Sequence, residues 1–306
     1  MIRLAVTGAT GFIGKILLER LAGQGFQVKA LYRPASVPPP KPTDSVHWQA
    51  GNLADEDSLH ALVEGVDAVV HCAGTVRGST LDDFREANIA GVTRLAEAAI
   101  ELKVPRLLLM SSLAAREPSL SDYALSKKMG EDALLKYEGR ISCDILRPPA
   151  VYGPGDREMR PLLQMIKRGI IPTVGAKDGK FSLLYVDDLA EAVSILLKSQ
   201  SPQKNRCFEL HDGHPDGYTW QQVATIASQL NGKRPCRMTI PRPALQIVAH
   251  VNLYLARMLG YLPMLTPGKV RELFHPDWVC DNTAITEAVG WQPRILFNEG
   301  MQRLFP

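Results

Sequence analysis

The chain has 306 residues, 45% of them hydrophobic and 22% charged, with a formal net charge of +3. This is the balance of an ordinary globular protein of one large domain, or of a nucleotide-binding domain plus a smaller lobe. The net charge implies no strong preference for nucleic acid or acidic surfaces, and no apolar run reaches the ~18 residues that would span a bilayer.

Ile2, Leu4, Ala5 and Val6 form a short apolar run, the mark of a strand buried on both faces. Gly8, Gly11 and Gly14 follow, and then Phe12, Ile13, Ile16, Leu17, Leu18 and Leu21 recur at helical intervals. The glycines therefore sit on a strand-to-helix turn. The first permits a tight turn, the second lets backbone approach a pyrophosphate, and the third lets helix and strand pack closely.

Residues 27–32 read as a second strand ending at Arg33-Pro34, where an adenosine ribose would be read. An NAD-selective site usually carries an acid there, which bonds the 2′-hydroxyl and repels a 2′-phosphate. Here stands Arg33, whose guanidinium suits a phosphate, so NADP is favoured over NAD. Proline-rich residues 34–44 read as a surface loop. Residues 46–50 form a third strand, Asp55 caps the next helix, and residues 67–72 form a fourth strand ending in Ala73-Gly74. His71 reads as packing at that strand end. A long amphipathic helix over 81–102 contains Asn88, and residues 105–110 form a fifth strand ending in Ser111-Ser112. This alternation predicts an α/β fold: a Rossmann-type, doubly wound parallel sheet with helices on both faces. Gly8, Arg33, Asn52, Ala73 and Ser112 all fall at strand carboxyl ends, where such sheets bind ligands.

Ser121 or Asp122 caps a helix that carries Tyr123 and Lys127, four apart and so on one face. A free tyrosine titrates near ~10 and is a poor base at neutral pH. A lysine ammonium one turn away would favour the phenolate, so that Tyr123 could give or take a proton at a substrate oxygen held by Ser112.

These stretches together resemble the extended branch of the short-chain dehydrogenase/reductase superfamily, the NAD(P)-dependent epimerases, dehydratases and reductases. The matching segments run from Thr7-Gly-Ala-Thr-Gly-Phe-Ile-Gly14 through Asn88-Ile-Ala-Gly91, Ser111-Ser112, Tyr123-x-x-x-Lys127 and Arg147-Pro-Pro-Ala-Val-Tyr-Gly-Pro-Gly155 to Tyr185-Val-Asp-Asp-Leu-Ala190. Asp281, Val289-Gly-Trp-Gln-Pro293 and Glu299-Gly300 resemble the tail. The resemblance implies that Tyr123 is the acid/base, that Lys127 lowers its pKa and holds the nicotinamide ribose, and that Ser112 orients the substrate oxygen. It implies cofactor contacts from Gly8, Thr10, Gly11, Phe12, Ile13, Gly14, Arg33, Asn52, Leu53, Ala73, Gly74, Asn88, Ser111, Tyr123, Lys127, Pro148 and Val151, and substrate contacts from Thr75, Ser112, Tyr123, Tyr152 and Arg157. No metal is implied. Three departures stand out: Gly51-Asn52-Leu53 in place of G-D-L, no V-Y-G after the serines, and a short gap from Ser112 to Tyr123. The last two speak against a typical sugar-nucleotide epimerase.

The expected division is a dinucleotide-binding domain over 1–152, its sheet completed by parts of 180–210, and a mainly substrate-binding lobe over 153–306. In the lobe, 158–168 and 218–230 read as helices, 180–186 and 208–210 as strands, and Asp187 as a cap. Arg157, Arg160 and Lys167 read as a solvated face, with a phosphate contact as the alternative. Residues 243–260 are apolar over much of their circumference but broken by His250, Asn252 and Arg257. They are open to three readings: a core helix, one wall of an apolar pocket, or a membrane-surface contact. The stretch from Ile240 to Pro267 also resembles family reductases that act on steroids, flavonoids and other hydrophobic alcohols.

Cys72, Cys143, Cys207, Cys236 and Cys280 are odd in number and scattered, which suggests reduced and mostly buried thiols. With a strand at residue 2, no signal peptide and a cytoplasmic location are expected. The leading expectation is an NADP-dependent reductase or dehydrogenase of a secondary alcohol or ketone, partly hydrophobic, working as a monomer or homodimer. The alternatives are a nucleotide-sugar epimerase or dehydratase with retained NAD, and a non-catalytic NADPH-binding regulator or assembly protein.

Overall fold

The computed structural model describes residues 1–34, 42–176, 178–199 and 205–306; the loop expected over 34–44 falls largely outside them. The first half alternates as anticipated. Strand β1 (Arg3–Thr7) leads to helix α1 (Phe12–Gly23), then come β2 (Gln27–Tyr32), β3 (Val46–Ala50), α2 (Glu56–Val63) and β4 (Ala68–His71). Helices α3 (Leu81–Arg85) and α4 (Gly91–Glu101) are joined by a π-helical turn, Glu86–Ala90. Strand β5 (Arg106–Met110), α5 (Asp122–Leu135) and β6 (Ser142–Arg147) complete this half.

The second half contributes β7 (Ala150–Tyr152), α6 (Arg160–Lys167), β8 (Ile170–Thr173), β9 (Lys180–Phe181), β10 (Leu183–Tyr185), α7 (Val186–Lys198) and β11 (Arg206–Glu209). After them come α8 (Trp220–Asn231), β12 (Cys236–Thr239), α9 (Arg242–Leu259), α10 (Pro267–Leu273), β13 (Asp277–Trp278), α11 (Thr283–Val289) and α12 (Phe297–Leu304).

Seven parallel strands form one sheet in the order β3-β2-β1-β4-β5-β6-β11. Alternation along β1 divides the core: Leu4 and Val6 join the apolar layer of α1 and α7, whereas Ala5 joins that of α2, α4 and α5. Buried Asp144 on β6 accepts from Arg106 on β5 at 2.8 Å and from Arg206 on β11 at 2.7 Å, which ties three adjacent strands. A third apolar cluster, with Tyr152, Tyr185, Tyr218 and Phe297, fills the lobe.

Several expectations change here. The strand expected over 180–186 splits into β9 and β10, and β10 pairs with β7 outside the main sheet; of the 180–210 region only β11 joins it. Asp187 lies inside the first turn of α7, and Tyr185 occupies the cap position. Its neighbour Asp188 turns inward and accepts from the backbone N–H of Arg294 and Ile295 at 3.0 and 2.9 Å, so Asp188 anchors the tail. Asp55 stands at the N-cap of α2 but makes no side-chain cap bond. Cys207 and Cys236 are exposed, because they lie on the outermost strands of their sheets. Helix α9 is no core helix: only Ala249 and Ala256 are buried.

Candidate active site

The glycine-rich turn has the shape that a pyrophosphate requires. Gly8 sits at φ +71, and a Cβ there would come within 2.5 Å of the backbone at Cys72 and Ala73. A Cβ on Gly14 would fall 2.1 Å from the Gly8 carbonyl oxygen. Only glycine lets the turn pass so close to β4 and lets α1 pack beneath it. Around Gly11 a Cβ would meet only the Gly8 oxygen, at 3.2 Å. Helix α1 starts there with no side-chain cap and no acid in its first turn, so its N–H groups and positive end face the turn. These features fit a dinucleotide phosphate, with Thr10, Phe12 and Ile13 on the same turn. Among the described residues, no cluster of metal-ligating side chains is present.

The other expected cofactor residues line the same sheet edge. Arg33 is exposed just after β2, and Asn52 just after β3. The Asn52 carboxamide oxygen accepts from Ala54 N–H at 2.8 Å and shapes its own turn. Leu53 is half-buried, and Gly91 makes room for it: a Cβ there would meet Leu53 at 2.7 Å. Pro148 is buried, and its carbonyl accepts from Leu113 N–H at 2.9 Å, while Val151 packs against the core. Gly74 lies close to Lys127: its Cβ would stand 3.8 Å from the ammonium nitrogen.

Asn88 is hydrogen-bonded within the fold. Its side chain accepts from Thr75 N–H at 2.9 Å and donates to Thr75 O at 3.1 Å and Ser126 Oγ at 2.9 Å. The π turn aims it at the loop after β4, and Gly130 on α5 packs on its backbone, where a Cβ would meet the Asn88 carbonyl at 2.2 Å. Thr75 in turn donates its hydroxyl to Arg77 O at 3.0 Å, within that loop. Ser111 also points inward and donates to Glu131 Oε1 at 2.6 Å. Glu131, buried on α5, takes a two-pronged bond from Arg147 at 2.8 and 2.6 Å, which fixes α5 against β6.

The groups expected to be catalytic converge at the carboxyl ends of β4 and β5. Ser112 lies beside the Tyr123 phenol, where its hydroxyl favours the phenolate, and it accepts from Ala114 N–H at 3.2 Å. Phe84 packs on the Tyr123 ring with centroids 6.0 Å apart. Burial holds the Tyr123 phenol above its ordinary value, partly offset by Ser112 and then by Lys269. Lys127 is engaged at the sheet rather than at the tyrosine. Its ammonium donates to Met110 O at 2.7 Å, so its tip turns toward the sheet although it shares a helix face with Tyr123. Burial lowers Lys127 to about 8, against the pull of Glu131 and Cys72. His71 is buried, with Nδ1 2.7 Å from Thr7 Oγ1, and burial lowers it to about 3, so it stays neutral.

The cation facing the tyrosine is one that the sequence did not disclose. Lys269, on α10, stands 5.9 Å from the Tyr123 ring centroid and pairs with Glu272 at 2.7 Å. Glu272 also accepts from Ser121, the residue that caps α5. Gly268 permits the approach, since a Cβ there would lie 2.8 Å from Ser121 Cβ. Lys269 and Tyr123 are far apart in sequence and match no local motif, so only the fold joins them.

One expected substrate contact moves. Tyr152 is fully buried in the lobe core, its ring edge-on to Tyr185 and Phe297 at 5.3 and 5.6 Å, and it does not face the cleft. Arg157 is exposed on the loop before α6, next to Glu158, which pairs with Arg77 at 2.9 Å across the two loops. Lys167 is pinned to Phe305 O at 2.9 Å.

A model of the NAD dependent epimerase/dehydratase family matches residues 4–210. A ceramide reductase from Caulobacter vibrioides is 34% identical over 286 residues, which cover 94% of this chain and 88% of that protein. A 2-alkyl-3-oxoalkanoate reductase from Stenotrophomonas maltophilia is 26% identical over 329 residues, covering 99% and 98%. Among solved structures, MoeE5 in complex with UDP-glucose and NAD superposes with a TM-score of 0.75 at 22% identity, covering 99% of this chain and 97% of that one; this likeness bears on the fold. Sequence and geometry agree, and the chain belongs to the NAD-dependent epimerase/dehydratase family of the extended short-chain dehydrogenases/reductases.

Proposed function

We propose that the chain is an NADP-dependent reductase that interconverts a ketone and a secondary alcohol on a partly apolar substrate. The pairing of Ser112 with Tyr123, set beside the glycine turn, carries this reading. A nicotinamide, when bound, donates or accepts the hydride. The chain's own residues handle the proton. In reduction the Tyr123 phenol, kept protonated by burial, gives its proton to the oxygen that becomes the hydroxyl, and Ser112 holds that oxygen in place. In oxidation the phenolate takes the proton back, and the Lys269 ammonium stabilises it. Lys127 is assigned to the nicotinamide ribose, and Arg33 to a 2′-phosphate. Two relatives named as reductases, one of ceramide and one of 2-alkyl-3-oxoalkanoates, support an acyl-chain substrate with a reducible carbonyl.

The test starts from the purified protein. It is denatured, and any released nucleotide is identified and counted. An empty site that binds NADPH at least about tenfold more tightly than NADH, a difference of ~1.4 kcal/mol, supports the assignment. Turnover of a long-chain ketone that Tyr123→Phe abolishes completes it. One equivalent of tightly held NAD, together with turnover of a nucleotide sugar, would replace this reading with an epimerase.

A further inference from the structure

Helix α9 presents a face that nothing among the described residues covers. Ile247, Val248, Val251, Tyr254, Met258 and Leu259 recur at intervals of one, three and four, and so form a single stripe. All six are more than half exposed, and Leu259 reaches 72%. The opposite stripe holds the helix to the lobe through Ala249, Ala256 and Asn252, whose amide donates to Leu265 O at 2.8 Å. An apolar stripe of this size on a helix too polar to span a bilayer is the form of an interfacial helix.

The charge around it chooses the partner. Residues 217–271 contain seven lysines and arginines and not one aspartate or glutamate. The rest of the chain holds 28 cations and 32 acids, a balance of −4, although the whole carries +3. Lys233, Arg234 and Arg237 are exposed just ahead of α9, Arg242 at its start, and Arg257 beside the apolar stripe. Within α9 the exposed stripe itself bears no charge. A second copy of the chain would set this basic rim against itself, whereas an anionic lipid surface matches both the rim and the stripe.

We infer that α9 and its basic flank dock the protein on an anionic membrane surface, with the apolar stripe lying in the interface. The docked face adjoins the reactive groups. After α9, Pro263 O accepts from Gly78 N–H at 3.2 Å on the loop that follows β4, and Lys269 reaches Tyr123. An acyl-chain substrate would thus enter from the lipid side. The docking itself stands apart from the substrate proposed above, because it is read without turnover.

The full chain is floated with vesicles of phosphatidylcholine alone, or with about 30 mol% phosphatidylglycerol to supply the anionic surface. Binding to the anionic vesicles, at least about tenfold above the neutral ones, is expected, with loss in high salt. Val251→Ser/Met258→Ser, on exposed positions that leave the core intact, lowers the binding at least about tenfold. Lys233→Glu/Arg237→Glu removes the preference for anionic lipid. Failure of the parent chain to float with anionic vesicles overturns the inference. So does a dimer in sedimentation equilibrium that Val251→Ser/Met258→Ser dissociates, since the stripe would then be a subunit interface.

Discussion

Replacing Lys269 by methionine tests whether the lobe tunes the tyrosine. The substitution keeps the length of the side chain and removes its charge. An ammonium 5.9 Å from the Tyr123 ring centroid, at an effective dielectric of about 20, is worth at most ~3 kcal/mol, or about two pH units on the tyrosine. Glu272 lies 2.7 Å from the same ammonium and offsets part of that, so a shift of about one unit remains. The sign is fixed: a cation favours the phenolate, so its loss raises the Tyr123 pKa. In the oxidation direction kcat/KM climbs with pH as the phenolate forms, and Lys269→Met moves that limb to higher pH by about one unit. Glu272→Gln removes an anion that now raises the tyrosine, keeps an acceptor for Ser121, and moves the limb the other way. Lys269→Arg restores the parent profile. The assay is a pH profile of nicotinamide absorbance with an alcohol substrate. A Lys269→Met enzyme that is slower at every pH with the limb unmoved would show that Lys269 serves substrate binding or folding, and the electrostatic argument would fail.

Other substitutions test the frame around the site. Gly14→Ala places a methyl 2.1 Å from the Gly8 oxygen, so NADPH affinity falls at least about tenfold, by ~1.4 kcal/mol or more, in fluorescence titration. Arg147→Met leaves Glu131 charged, buried and unpaired, and should cost about 3–5 kcal/mol in urea unfolding; adding Glu131→Leu should recover much of it. Tyr152→Phe should be neutral or mildly stabilising with unchanged kinetics, because the buried hydroxyl has no hydrogen-bond partner among the described residues. Burial lifts Asp212 from 3.8 to about 6 in the fold, where it accepts from the Tyr218 hydroxyl at 2.7 Å. The folded chain therefore holds that proton to higher pH than the unfolded one. Its stabilising contribution is present below about 4 and is lost as pH rises to about 6, by at most ~3 kcal/mol. Asp212→Asn removes this contribution, which a difference between the two stability profiles isolates from His71, whose shift has the opposite sign.

The parts of the site that could be read in advance are those where backbone demands one residue type. Gly8 needs a positive φ beside β4, and Gly14 needs to lie under the Gly8 oxygen, so the spacing of the glycines carries the phosphate turn in plain view. Buried parallel strands also announce themselves, since both faces of β1 and β4 are apolar. The π turn left no mark: residues 81–101 keep one amphipathic pattern, and the extra backbone residue that turns Asn88 toward Thr75 lies where Gly130 packs on the Asn88 carbonyl. Side-chain direction was hidden in the same way. Tyr123 and Lys127 are rightly placed on one face, but the open carbonyl of Met110 draws the lysine away. Tyr152 sits in a recognisable motif, yet Gly300 opens a slot in α12 that takes its hydroxyl into the core.

The second lobe resisted reading for a different reason. A stripe of isoleucine, valine and leucine says that a surface avoids water, but it does not say what covers that surface. For α1 the answer was the chain itself, and Leu17 and Leu21 are fully buried. For α9 the same pattern faces outward, and the discriminating signal lies outside the helix, in 55 residues that carry seven cations and no acid. Core helices have no need of such a bias, because their charges lie on a solvated face where both signs serve equally well. The one acid that ends the run is Glu272, and it is spent on Lys269 beside the reactive tyrosine. The segment that we place on the membrane thus ends in the groups to which we assign the tuning of the tyrosine, and the two roles can be separated: changes at Val251 and Met258 should alter vesicle binding and leave the pH profile alone, whereas changes at Lys269 should do the reverse.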